Sequence, residues 1–111
     1  MTTSRDDLQH VLDLHALWLR GEAGGEKAVL AGANLSGANL NRANLRLADL
    51  AGANLSKADL HLADLSLADL RGANLSGANL SYPDLAGADL RGANRTGAQE
   101  NGADLRGALL L

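Results

Sequence analysis

The stretch ANLSKADLHLADLSLADL, residues 53–70, places Ala, then Asn or Asp, then Leu at every fifth step. That period suits neither a helix, at about 3.6 residues per turn, nor a strand, at about 2. Working outward, the chain reads in fives from Ala28, through AVLAG, ANLSG, ANLNR and ANLRL, to the closing quintets ADLRG, ANRTG, AQENG and ADLRG. A remnant, ALLL, occupies residues 108–111. Self-similarity at this short, fixed spacing predicts a solenoid in which each unit buries its apolar side only against its neighbours.

Composition agrees. The chain has 111 residues and 46% hydrophobic content, yet no Phe, one Trp and one Tyr. One domain at most is expected, and its core must be built from Leu and Ala. Cysteine is absent, which excludes disulfides and thiolate metal sites and fits a reducing, cytoplasmic setting. No apolar run approaches a membrane span, and the start MTTSRDDLQH lacks the features of a signal peptide. A net charge of −3 argues against nucleic acid as a direct ligand.

Residues 1–27 carry no such period. In SRDDLQHVLDLHALWLR, residues 4–20, the residues Leu8, Val11, Leu12, His15, Trp18 and Leu19 recur at helical spacing. Thr3 or Ser4 can cap the start, Asp6 and Asp7 suit the positive end of the helix dipole, and Gly21 suits the stop. An amphipathic helix is predicted which, with its Trp18, covers the first end of the solenoid, and GEAGGEK (21–27) is a flexible turn. The second region is 28–111.

The quintets of residues 28–110 resemble the pentapeptide-repeat family, whose signature is Ala, Asn or Asp, Leu and two variable positions. The resemblance implies an all-β solenoid: a right-handed quadrilateral β-helix of about four coils, with the N-terminal helix as its cap. Each quintet is one side of the square, and the Leu and the preceding Ala point inward. Coils stacked at about 4.8 Å would make a rod about 20 Å tall. Gly at the last position of most quintets relieves the tight corners.

With twenty residues per coil, four columns precede the inward leucines. Asp49, Asp69 and Asp89 form the first face, and Asn34, Asn54, Asn74 and Asn94 the second. Asn39, Asp59, Asn79 and Gln99 form the third, with Asn44, Asp64, Asp84 and Asp104 on the fourth. Two readings are open: these side chains brace the turn backbone, or the acidic columns meet a partner. At the last position of four quintets stand Leu47, Leu62, Leu67 and Tyr82, either a contact patch or corner side chains folded over their neighbours. In the fourth coil, Arg95 and Glu100 replace inward leucines. Because desolvating both is costly, the segment 93–102 is expected to bulge from the square. Leu109, Leu110 and Leu111 mark an apolar end, and C-terminal homodimerisation, common in the family, is implied there.

Catalytic chemistry is missing from the pattern. His15 lies on the apolar helix face as a packing residue, and His61 stands alone between Asp59 and Asp64. No Cys nucleophile, phosphate loop or metal-ligand cluster is present, so no enzyme, cofactor or metal is expected. The resemblance further implies a DNA-mimicking inhibitor, since the family includes acidic rods that fill the duplex site of a partner such as DNA gyrase. A rod covering only about six base pairs at roughly 3.4 Å each suits a short duplex-reading site. The layout is similar to short phage-encoded anti-CRISPR members that block target recognition by a type I surveillance complex. The acidic columns Asp49, Asp69, Asp89, Asp64, Asp84 and Asp104, with Asp59, would carry the mimicry. Protection or inhibition of a topoisomerase, and a protein-interaction scaffold using the apolar patch, are the alternatives.

Overall fold

The computed structural model describes residues 4–111. The predicted cap Thr3 lies outside the described residues; Ser4 takes the role, its Oγ accepting the Asp7 amide at 3.1 Å. Helix α1 runs Arg5–Leu19, with Asp6 and Asp7 in its first turn. It stops where the sequence suggests. Gly21 adopts a left-handed φ of 71°, the Gly21 amide donates to Trp18 and the Glu22 amide to Leu17, a pairing that satisfies the last helical carbonyls.

From Ala28 onward the chain forms a four-sided β-helix. Parallel bridges link each residue before an inward position to the one twenty further on, from Val29 with Asp49 to Asp89 with Leu109. Each side is a short extended piece, too short to form a named strand, and is tied to the next coil by a repeating pair of bonds. Leu50 donates to the Asp69 carbonyl at 2.8 Å, and the Asp69 amide returns to the Ala48 carbonyl at 3.0 Å. The inward leucines from Leu35 to Leu90 are no more than 2% exposed, and the alanines that open the quintets from Ala48 to Ala88 are buried beside them. Pro83 occupies one alanine position and is also buried; having no N–H, it forgoes the bond that the alanines there donate to the leucine carbonyl three residues earlier, as Ala78 does to Leu75 at 3.0 Å.

The expected bulge at 93–102 does not form. Asn94 and Gln99 keep their bridges to Asn74 and Asn79, and the amides of Leu75, Gly77, Leu80 and Tyr82 all donate to carbonyls of this segment. Leaving the square would break these bonds. Arg95 and Glu100 therefore stay on adjacent inward sides and meet each other, Nη1 to Oε2, at 3.1 Å. Their side chains remain 31% and 30% exposed, so water shares the desolvation cost that full burial would impose.

Two expectations for the N-terminal segment also change. Trp18 does not plug the solenoid: it is 37% exposed and stacks on His15 with ring centroids 5.6 Å apart. Leu8 and His15 are the buried residues of α1, and Leu8 joins the apolar cluster that contains Leu30 and Leu35, with Val11 and Leu12 packed against it. The turn 21–27 is fastened rather than loose. Glu26 donates to the Leu14 carbonyl, and Gly25 presses against the Trp18 backbone so closely that a Cβ there would collide with it.

His15 joins the two parts. Its Nδ1 accepts the Ala28 amide at 2.9 Å, which makes the neutral ring carry its proton on Nε2 and donate to the Arg46 carbonyl at 2.8 Å. One fully buried ring thus bonds the backbone at the beginning and the end of the first coil. His15→Ala strands the Ala28 amide and opens a cavity, so a loss of about 2–3 kcal/mol is expected from the urea-unfolding midpoint. His15→Gln, which offers a donor and an acceptor, should recover part of it.

Candidate functional site

The side chains of the four columns do a structural job first. At every Asn and Asp of these columns from Asn34 to Asp104, Oδ1 accepts the backbone amide two residues on, as in Asp49 to Ala51 at 3.1 Å and Asp84 to Ala86 at 3.0 Å. Each column residue therefore holds the corner beyond it, an Asx turn repeated around the square. Gln99, one methylene longer, shows no such bond.

The second carboxylate oxygens divide the predicted acidic columns. On the first face, Asp69 is bound by Arg71 at 2.7 Å and Asp89 by Arg91 at 2.6 Å, while Arg71 also approaches Asp89 at 3.8 Å. On the fourth face, Asp104 is bound by Arg106 at 2.8 Å. The hydrogen bond from Arg91 is the main cause that lowers the Asp89 carboxyl to about 2, and Arg71 and Arg106 likewise lower Asp69 and Asp104. Among the described residues Asp49, Asp59, Asp64 and Asp84 form no ion pair. Asp59 faces the amides of Asn41 and Asn79 at 3.4 and 3.5 Å. Asp64 takes the buried Ser66 hydroxyl at 2.6 Å, which in turn accepts from Arg46 at 3.1 Å. Arg46 thus reaches its face through a serine rather than through a carboxylate.

The corners carry the second feature. Every last position from residue 32 to residue 107 has a positive φ, and six of these corners are not glycine: Arg42, Leu47, Lys57, Leu62, Leu67 and Tyr82, at φ 58–65°. Leu62 and Tyr82 occupy successive coils at the corner leading into the fourth face, and Leu47 and Leu67 do so at the corner leaving it. Leu62, Leu67 and Tyr82 are 40%, 48% and 59% exposed, whereas Leu47 is half-buried. Leu67 and Tyr82 lean toward the next coil. The Tyr82 ring covers Gly102 and the Leu67 side chain covers Gly87, so a Cβ at either glycine would collide with it. His61 meets the Tyr82 ring edge-on at 6.1 Å. Pattern reading missed the Ser66 bridge, although the twenty-residue register pointed at it; the glycines beneath Tyr82 and Leu67 accord with its reading of corner side chains folded over their neighbours. At the far end, Leu109, Leu110 and Leu111 are exposed.

With this geometry in hand, the family is plain. The model of pentapeptide repeats (8 copies) matches residues 28–66, 59–97 and 68–110, and the chain belongs to that family, with its right-handed β-helix. Among solved structures it is similar to HetL, a pentapeptide repeat protein involved in heterocyst differentiation regulation in the cyanobacterium Nostoc sp. strain PCC 7120. Identity is 40% and the TM-score 0.59, over 78% of this chain and 42% of HetL. It is also similar to alr5209 from Nostoc PCC 7120, at 38% identity and a TM-score of 0.50, over 86% of this chain and 71% of that one. A third likeness is to a thylakoid-lumen pentapeptide repeat protein of Arabidopsis thaliana, at 38% identity and a TM-score of 0.46, over 73% and 63% of the two chains. The chain spans about two fifths of the length of HetL. No curated protein matches it. Among the described residues no helix is long and apolar enough to cross a membrane.

The ion pairs set a pH dependence. Because Asp89 is depressed to about 2 from an unfolded value of about 3.9, its stabilisation is complete above the higher figure and is lost as pH falls through the lower. Asp69 and Asp104 are shifted in the same direction. Stability from urea unfolding should therefore fall between about pH 4 and about pH 2, and Arg91→Gln should lose less over that window than the parent chain does.

Proposed function

We propose that this chain is a non-enzymatic rod that docks a protein partner along its fourth face. The carrying observation is the placement of Leu62, Leu67 and Tyr82, exposed apolar side chains held in left-handed backbone where glycine would relax the corner. Holding a side chain in that conformation costs roughly 1–2 kcal/mol per residue. Strain of this kind concentrates where a side chain serves something besides the fold. Leu47 extends the same patch. The neutral polar second face, with its column of asparagines, has no comparable apolar feature among the described residues. Helix α1 serves as the cap that keeps the first coil closed, so the rod can present the face rigidly.

The geometry favours this reading over DNA mimicry. A duplex mimic needs a row of free charges, whereas Asp69, Asp89 and Asp104 each hold an arginine and leave their columns locally neutral. The acids outside any ion pair, Asp49, Asp59, Asp64 and Asp84, are spread over three faces. An anti-CRISPR inhibitor or a gyrase-directed protein acting in the bacterial cytoplasm would have to work through these four or through an end-to-end dimer at Leu109, Leu110 and Leu111. In either case the contact is with a protein, not with nucleic acid or membrane.

A photo-crosslinking residue placed at Leu62 or Tyr82 should form adducts in the native cell, while one at Asn54 or Asn74 should not. Equal adducts from both faces, or adducts abolished by Asp69→Asn with Asp89→Asn, would remove the fourth-face reading and favour the mimic. A second expectation separates contact from packing. Leu62→Gly releases corner strain but gives the unfolded chain more freedom, so stability should stay within about 1 kcal/mol of the parent in urea. A loss above about 2 kcal/mol would mean that Leu62 packs for the fold instead.

A further inference from the structure

The corner formed by Asn101 and Gly102 differs from every other asparagine site among the described residues. Elsewhere each asparagine is followed by Leu or Arg, and its carboxamide is hydrogen-bonded. Asn101 is followed by glycine, is exposed, and its carboxamide has no partner among the described residues. The amide after it is equally free. From Gly32 to Gly87 every corner amide donates to a carbonyl of the next coil, as Arg42 does to His61 at 2.8 Å and Tyr82 to Asn101 at 2.8 Å. Among the described residues no carbonyl accepts the Gly102 amide.

The structure also imposes glycine at this corner. Gly102 has a left-handed φ of 69°, and the Tyr82 ring stands where its Cβ would be. A larger side chain, which would hinder approach to the neighbouring carboxamide, is kept out by that ring. The Gly102 nitrogen and the Asn101 Cγ are the two ends of a short chain segment whose closure makes a small, unstrained ring. A nucleophile tethered beside its electrophile has a large kinetic advantage over the same groups free in solution.

We infer that Asn101 is a site of spontaneous deamidation in the folded chain. The Gly102 nitrogen, having lost its proton to water or hydroxide, attacks Asn101 Cγ. The N–Cγ bond forms, and the Cγ–Nδ2 bond breaks as ammonia leaves with a proton from water. A water molecule then opens the succinimide at either of its carbonyls, which leaves aspartate or isoaspartate at position 101. One water is consumed and one ammonia released, with no change of oxidation state. Both products place a carboxylate at the corner where the Tyr82 amide meets the chain. Isoaspartate also adds a methylene to the main chain there, in the residue whose carbonyl accepts that amide. An aged molecule therefore carries a new charge at the border of the fourth face, and the reaction is independent of whether that face docks a partner.

The test is peptide mapping by mass spectrometry of the full chain after incubation in mildly alkaline buffer, folded and in urea, with isoaspartate separated from aspartate by chromatography. Asn101→Ser is the control. Serine holds the same position in the preceding coil as Ser81, so the fold is kept, which circular dichroism would verify. The expected result is amide-to-acid conversion at Asn101, in the folded chain within about ten-fold of the rate in urea and at least about ten-fold faster than at any other asparagine. The rate should rise with pH, because the attacking nitrogen must lose its proton, and Asn101→Ser should show no conversion in that peptide. Conversion in urea but not in the folded chain would mean that the fold shields the pair, and would overturn the inference. So would folded-state conversion spread evenly over the asparagines, or a product without isoaspartate, which marks direct hydrolysis with no ring.

Discussion

The corner is the constraint on which the rest of this molecule depends. A square coil requires a sharp change of direction after every three extended residues, and each one is made by a residue at positive φ. The turn is held by the carboxamide or carboxylate of the residue three places earlier, whose Oδ1 accepts an amide across it. Once these corners are set, every side lies over its counterpart twenty residues away, and the interior can be filled by leucine and alanine alone. No Trp or Tyr enters the interior of the coils, because a cross-section this narrow has no room for one.

Surface chemistry is subordinate to that scheme. Asn and Asp brace the turn equally well with one oxygen, so the choice between them is left to whatever the second oxygen meets. Where an arginine stands two residues later, as at Asp69, Asp89 and Asp104, the charge is answered within its own corner. Where alanine stands there, as at Asp84, no ion pair forms within the corner, and Arg106 of the next coil acts on the charge only through space. The proposed docking rests on the side chains that replace glycine at the corners on either side of the fourth face.

The pair Arg95 and Glu100 shows how strongly the ladder governs the coil. Two charged residues at inward positions would leave a globular core, yet here the backbone hydrogen bonds of four neighbouring amides hold the segment in register. The side chains adapt by pairing with each other and keeping partial access to water. Desolvation weighed for isolated residues sets the cost of two charges against nothing, whereas the true alternative is the loss of several ladder bonds.

The sequence by itself determined the solenoid, its twenty-residue register, its four columns and the helix before it. A five-residue period of Ala, Asx and Leu has a single economical packing, and helix signals such as Ser4 and Gly21 act locally. Only the tertiary structure decided which carboxylates are answered, that His15 rather than Trp18 joins the helix to the coils, and that Tyr82 and Leu67 lie over glycines of the next coil. These depend on side-chain directions and on distances of a few ångströms between residues far apart in the chain. A periodic sequence places such residues in the same column without saying whether they touch.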